Sequence, residues 1–469
     1  HLSLRRQRQM CIRDRYKCTM GKSGLGMIMP TQKSIFYRKP LAVIFVIALV
    51  TLSTTYIVLS NTNILVYEGS MSAYIPKSLA KKIYFVSNNE PFDVSILNEL
   101  SARNITIIQS QIFDYITANS ADISMISFSW LKLQQENVVS EIENFLFSGK
   151  MIVFFGSELC DLYSVIDSRV IQEKFTIFPG YIDENNEAQL FLSEDLIAMG
   201  ITALPKSNEN TTRYSSVQFY LIGELNAWDI AVSILDWYNI SISEKLEQDT
   251  ELAGWDRYVG HICWYTTTLK DYAGEPLSRV ELHVKYWYEQ SDSRPNQWHY
   301  FLVRTNHILR PLKSYVAPYK SIVYADCDTV NNPGQIIDDW GPKNGGGPTK
   351  TISFNLLSEG PETLVHVEYS FELDTMRWRD LTVPGCGLHK TEHTFFILYY
   401  LPYNKTASIE TATIFMEDNA KINGNEPLTL THYAWGDFYV STMGAGYHIS
   451  AFVQDSVIVY SGYIYTSSP

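Results

Sequence analysis

Apolar residues along this chain follow three successive rhythms. From Leu41 to Leu59 (LAVIFVIALVTLSTTYIVL) they run almost unbroken, with no charge between Pro40 and Tyr67 and with Arg38 and Lys39 immediately before. About 19 residues in a helix rise roughly 28 Å, enough to cross the hydrocarbon core of a bilayer. This stretch therefore predicts a transmembrane helix at 41–59. The basic flank is N-terminal, which places residues 1–40 as a cytoplasmic tail and everything beyond a short stalk (60–77) outside. On this reading the protein is a single-pass cell-membrane protein, held in the membrane through Leu41–Leu59 with its C-terminal domains extracytoplasmic. Residues 1–16 (HLSLRRQRQMCIRDRY) read as translated adapter sequence and are set aside before fold reasoning.

The second rhythm alternates short apolar runs with helical spacing. Lys82 to Ser87 (KIYFVS) predicts a strand, and Asp93 can cap a helix whose Val94, Leu97 and Leu100 share a face. Ile105–Ile108 and Ile123–Phe128 are further strands. Val138, Ile142, Phe145 and Leu146 recur at helical spacing, Gly149 stands where a C-cap belongs, and Met151–Phe155 (MIVFF) reads as a buried strand. Val217–Ile222, a turn at Gly223 and a helix over 227–238 add a last unit. Such alternation predicts an α/β domain at 78–245, a parallel sheet with helices on both faces, with 175–216 as an irregular excursion.

From Trp255 the period becomes two. Candidate strands are Tyr258–Thr268, Arg279–Tyr288, His299–Thr305, Thr351–Leu357, Leu364–Leu373, Thr394–Leu401, Ser408–Met416, Phe438–Met443 and Tyr447–Tyr460, parted by turn clusters such as Asn331-Asn332-Pro333-Gly334. They predict an all-β domain, an antiparallel β-sandwich at 255–469, separable from the α/β domain through a polar link at 245–255. The fold class is thus α/β plus all-β.

Charge narrows the partners. Residues 41–469 hold 27 basic and 49 acidic residues, a formal net of −22. Such a surface repels phosphate backbones and excludes nucleic acid as a partner. Four cysteines fall on the external side: Cys160, Cys263, Cys327 and Cys386. Cys263, Cys327 and Cys386 are disulfide candidates whose pairing the sequence leaves open.

By element order the α/β region resembles the flavodoxin-like and glutamine-amidotransferase-like ectodomains of single-pass prokaryotic membrane proteins. Open α/β sheets bind ligands at the carboxyl ends of their strands, so the resemblance implies a ligand site at Ser87, Asn88 and Asn89, at Gly156, Ser157 and Glu158, and at Gly223 and Glu224. No glycine-rich phosphate cradle follows the first strand, and Cys160 (GSELCD) lies on no G-x-C-x-G turn. Elsewhere, Asp326, Asp328 and Asn331 offer oxygen ligands for calcium, the one cofactor the sequence suggests, without the spacing of an EF-hand. His389-Lys390-Thr391-Glu392-His393 matches H-x-x-E-H, but a zinc pair needs a helix, and the flanking glycines and apolar β-type run place it in an exposed hairpin loop. Trp264, Trp287, Trp298, Trp340, Trp378 and Trp435 could stack on sugars. The reading that follows is a non-enzymatic surface module for binding, adhesion or envelope assembly, with a surface protein or glycan as partner. The alternative is an envelope hydrolase using His389 and His393 or the strand end near Ser157.

Overall fold

The computed structural model describes residues 79–460, apart from internal stretches of which 205–215, 248–256 and 419–427 are the longest. In chain order the elements begin with β1 (Lys82–Val86), α1 (Pro91–Ser101), β2 (Thr106–Ser110), α2 (Tyr115–Ser120), β3 (Ile123–Ser127), α3 (Phe128–Leu131), α4 (Glu136–Leu146) and β4 (Met151–Phe155). After a 3-10 turn at Leu159–Ser164 come α5 (Ser168–Lys174), β5 (Ile177–Ile182), β6 (Ala188–Leu190), β7 (Ala198–Leu204), β8 (Ser216–Ile222) and α6 (Ala227–Glu247). Strands dominate the rest: β9 (Arg257–Thr267), β10 (Ser278–Glu289), β11 (Trp298–Pro311), β12 (Val316–Asp326), β13 (Gln335–Gly341), β14 (Gly346–Thr349), β15 (Thr351–Leu357) and β16 (Leu364–Ser370). The last are β17 (Met376–Asp380), β18 (Leu388–Thr394), β19 (Ala407–Asp418), β20 (Leu428–Thr442) and β21 (Ala445–Val459).

Local chemistry explains the first units. Ile83 to Val86 are all buried, so β1 is apolar on both faces, as a strand covered by helices must be. Asn89, at φ 62°, reverses the chain after β1, and Pro91 opens α1 at a position where its missing N–H costs nothing. Asp114 caps α2 by accepting from the Thr117 amide at 3.0 Å. The buried face of α1 is Asp93, Ile96 and Leu100, not the expected Val94 stripe. Asp93 is therefore an interior carboxyl rather than a solvated cap.

The architecture is largely β, with one large mixed sheet and antiparallel sheets. The large sheet has 11 strands in the order β13-β19-β11-β10-β9-β8-β7-β4-β3-β1-β2. Its β2-β1-β3-β4 end is parallel, β7 is antiparallel to both β4 and β8, and β9 to β11 and β19 form an antiparallel run. A second sheet of eight strands runs β14-β17-β18-β12-β20-β21-β5-β6, and β15 pairs with β16 as a separate hairpin. One core, with Ile83, Phe85, Ile96 and Trp237, fills the α1/α6 side of the large sheet. A second, with Phe154, Phe219, Tyr286 and Val457, continues from the other face into the space against the second sheet.

No sheet break accompanies the linker expected at 245–255. β8 pairs in parallel with β9 from Val217–Gly260 to Ile222–Tyr265, so β8, α6 and β9 form a βαβ crossover. Close approach at this seam requires glycine: a Cβ on Gly260 would stand 2.6 Å from the Val217 carbonyl oxygen. Part of the excursion at 175–216 is regular: β5 joins the second sheet against β21, and β7 lies in the large sheet against β4.

The membrane placement is corrected. Among the described residues no helix is long and apolar enough to cross a membrane. The longest, α6, carries Asp229 and Asp236 and packs Ile230, Ile234 and Trp237 into the core against the sheet. Leu41–Leu59 lies outside the described residues.

Candidate functional site at the strand ends

Three parallel strands deliver side chains to one edge of the large sheet. Ser87 follows β1, Ser127 ends β3 and Gly156 follows β4. Because α1 starts just after β1, its first turn carries Asp93 to the same edge, where Ser127 Oγ lies 3.2 Å from Asp93 Oδ1. Ser127 Oγ is also 2.9 Å from Ser129 Oγ, and the Asn89 amide donates to Ser87 Oγ at 3.2 Å.

Asp93 is the unusual member. It is 2% exposed, and its Oδ2 has no hydrogen-bond partner. Burial raises its carboxyl pKa above the ordinary aspartate value. Hydrogen bonds from Ser127 and Ser87 oppose that shift, while the charge of Glu90 adds to it. A buried acceptor left unmatched costs free energy comparable to a lost hydrogen bond. The site can recover that loss by accepting a hydrogen bond from a hydroxyl or ammonium group.

Of the residues expected here, Asn89 donates its amide to Ser87 Oγ, and Ser87 is one of the groups that oppose the rise of the Asp93 pKa, whereas Asn88 is exposed. Gly156 takes φ +135°, a conformation that favours glycine, and its amide donates to the Ile197 carbonyl at 2.9 Å. Ser157 is exposed beside it. Glu158, at φ 63°, pairs with Lys132 Nζ at 2.6 Å, and this partner lowers its carboxyl pKa. Gly223 lies on the same edge two strands away, through Ile197, whose amide donates to the Ile222 carbonyl. Glu224 lies outside the described residues. Sequence reasoning missed Asp93, Ser127 and Ser129 as site residues. The available signal was the i, i+3, i+7 spacing of Asp93 with Ile96 and Leu100, which puts a carboxylate on an otherwise apolar helix face.

The other candidates separate. Asp326 ends β12 and is mostly buried, while Asp328 and Asn331 lie outside the described residues. Cys160, Cys263, Cys327 and Cys386 are all thiols, so the expected disulfide among Cys263, Cys327 and Cys386 is not formed. His389 and His393 sit on β18, hydrogen-bonded between β12 and β17, and are 3% and 0% exposed. That corrects the expected exposed loop: both histidines face inward. Trp264 and Trp287 are buried, and the Trp264 and Trp340 indoles donate to Asp455 and Asp380.

No family model and no curated protein matches this chain. Among solved structures it is similar to a "Pore forming protein", at 11% identity and a TM-score of 0.27, over 45% of this chain and 97% of that one. The Clostridium perfringens delta-toxin matches at 9% identity and a TM-score of 0.24, over 44% and 93%. The Clostridium perfringens NetB toxin in its membrane inserted form matches at 11% identity and 0.21, over 43% and 99%.

Proposed function

We propose that this chain is a non-enzymatic binding protein that captures a small polar ligand bearing a hydroxyl or ammonium donor at the carboxyl ends of β1, β3 and β4. The supporting observation is the buried, unmatched Asp93 Oδ2 beside the hydroxyls of Ser87, Ser127 and Ser129. An occupant would supply the missing donor, and the hydroxyls would orient it through their remaining capacity. Exposed flanking groups, among them Asn88, Ser157 and the Lys132–Glu158 pair, would select among occupants. The test is thermal unfolding of the full chain with ribose, glycerol, ethanolamine and glycine as separate probes. At least one should raise the transition temperature of the wild type and leave Asp93→Asn unmoved. Equal shifts in both proteins would remove Asp93 from the site, and no shift with any probe would remove the reading.

A further inference from the structure

A second cluster lies on the α6 face of the large sheet, away from the strand ends. His261 and Cys263 are two apart on β9 and so share a face, and His283 on β10 stands directly opposite Cys263. Cys263 Sγ is 3.0 Å from His261 Nε2 and 3.2 Å from His283 Nδ1, and the three candidate ligand atoms all lie within 4.8 Å of one another. Cys263 and His261 are buried, and His283 reaches the margin of the cluster.

What surrounds the triplet orients it. The other nitrogen of His283, Nε2, is 3.4 Å from Glu281 Oε2. Glu281 is itself fixed: its Oε1 accepts from Arg279 Nε at 2.7 Å and from Arg310 Nε at 2.9 Å. A carboxylate holding the far N–H of an imidazole fixes the tautomer that leaves the near nitrogen free to ligate, and raises its basicity. Here that near nitrogen is the one facing Cys263.

We infer that His261 Nε2, Cys263 Sγ and His283 Nδ1 bind one thiophilic metal ion, zinc(II) by donor set, with a fourth position left for a further ligand. One thiolate and two imidazoles suit zinc at about 2.3 Å for sulfur and 2.0–2.1 Å for nitrogen. Tetrahedral bonds of those lengths separate sulfur from nitrogen by about 3.5 Å and the two nitrogens by about 3.3 Å, so the sulfur–nitrogen pairs need open by only a few tenths of an ångström from their 3.0 and 3.2 Å, and the two imidazole nitrogens, which lie within 4.8 Å of each other, settle at the tetrahedral spacing. Binding deprotonates the Cys263 thiol and releases that proton to solvent, so affinity falls as pH falls. The two arginines engage Glu281 and leave the positive charge that a buried thiolate requires to the metal.

Cobalt(II) is the probe, added to chelator-treated full-length protein. One equivalent should bind and produce a thiolate-to-cobalt charge-transfer band together with visible bands of tetrahedral intensity; zinc(II) should displace both. Cys263→Ser should abolish the charge-transfer band, and His283→Gln should weaken cobalt binding by roughly 10-fold or more. Cys386→Ser, at an exposed thiol outside the cluster, should bind as wild type does. Circular dichroism establishes that each variant folds, and His283→Gln decides the matter if Cys263→Ser does not. Failure of the wild type to bind cobalt, a charge-transfer band that persists in Cys263→Ser, or undiminished binding in His283→Gln would overturn the assignment.

Discussion

Lowering the pH from about 7 to about 4.5 should dismantle the β-rich half, because the fold holds four imidazoles neutral. His307 on β11 and His389 and His393 on β18 face the interior between the sheets, and His432 on β20 bonds Tyr286 Oη at 2.8 Å. His307 Nδ1 lies 2.8 Å from Ser321 Oγ, and His389 Nδ1 meets Thr413 Oγ1, but neither nitrogen of His393 has a hydrogen-bond partner. Burial lowers the pKa to about 3 in His307, His393 and His432 and to about 4 in His389; in His393 the neighbouring His307 and His389 lower it further. Each folded pKa lies below the unfolded value of about 6.5, so on acidification the unfolded chain takes up protons first and stability falls. The loss begins near pH 6.5 and continues towards pH 4 to 3. At about pH 4.5 it reaches roughly 3 kcal/mol per histidine and on the order of 10 kcal/mol for the four, against a typical total of about 5–15 kcal/mol. Asp93 and Asp437, whose carboxyl pKa values are raised, bind protons more readily when folded and offset a part. The assay is urea unfolding followed by tryptophan fluorescence at stepped pH. His393→Leu should reduce the slope of stability against pH by about 1.4 kcal/mol per unit, one proton's worth, and stabilise the neutral protein by about 1 kcal/mol. A wild-type slope below one proton, or an unchanged slope in His393→Leu, would refute the reasoning.

Other outcomes follow from the same structure. Arg279→Met should cost about 3–5 kcal/mol in urea unfolding, because it strips a charge partner from the buried Glu281. Gly260→Val should destabilise by about 1–3 kcal/mol or more, since its side chain enters the β8–β9 seam against the Val217 carbonyl and Ile177. Residues 255–469 expressed alone should aggregate rather than fold, because β9 loses β8 and β21 loses β5, leaving two unpaired strand edges; a cooperative urea transition would contradict this. Gly341→Ala should loosen the β15–β16 hairpin, whose Phe354 ring occupies the space a Cβ would take, and limited proteolysis should then cut between residues 351 and 370 before it cuts the sheets.

How much of this was legible depended on what each strand buries. β1 and β15 match their expected ranges closely, since the IYFV that follows Lys82 is apolar throughout and TISFNLL alternates with Ile352 and Leu356 buried. β18 was read as a loop because the residues it turns inward are His389, Thr391 and His393, and polar inward positions erase the period-two signal. The join between the halves was invisible for a topological reason. A parallel partner lies beyond a crossover helix, so the change of rhythm near 245–255 looked like a domain boundary when it was the return of α6 to the sheet. At the strand ends, the rule of the carboxyl edge pointed to Ser87, Asn89, Gly156 and Glu158, which lie just after β1 and β4. Asp93 escaped because an acidic residue in a first helical turn reads as a cap, and only packing distinguishes a cap from an interior carboxyl.

The most direct test of ligand capture at Asp93 is to denature natively purified full-length protein and identify by mass spectrometry what it releases, beside Asp93→Asn prepared identically. The account predicts a small molecule carrying a hydroxyl or amine group, released by the wild type and absent from the variant. The same molecule released equally by both proteins, or nothing released by the wild type, would contradict it.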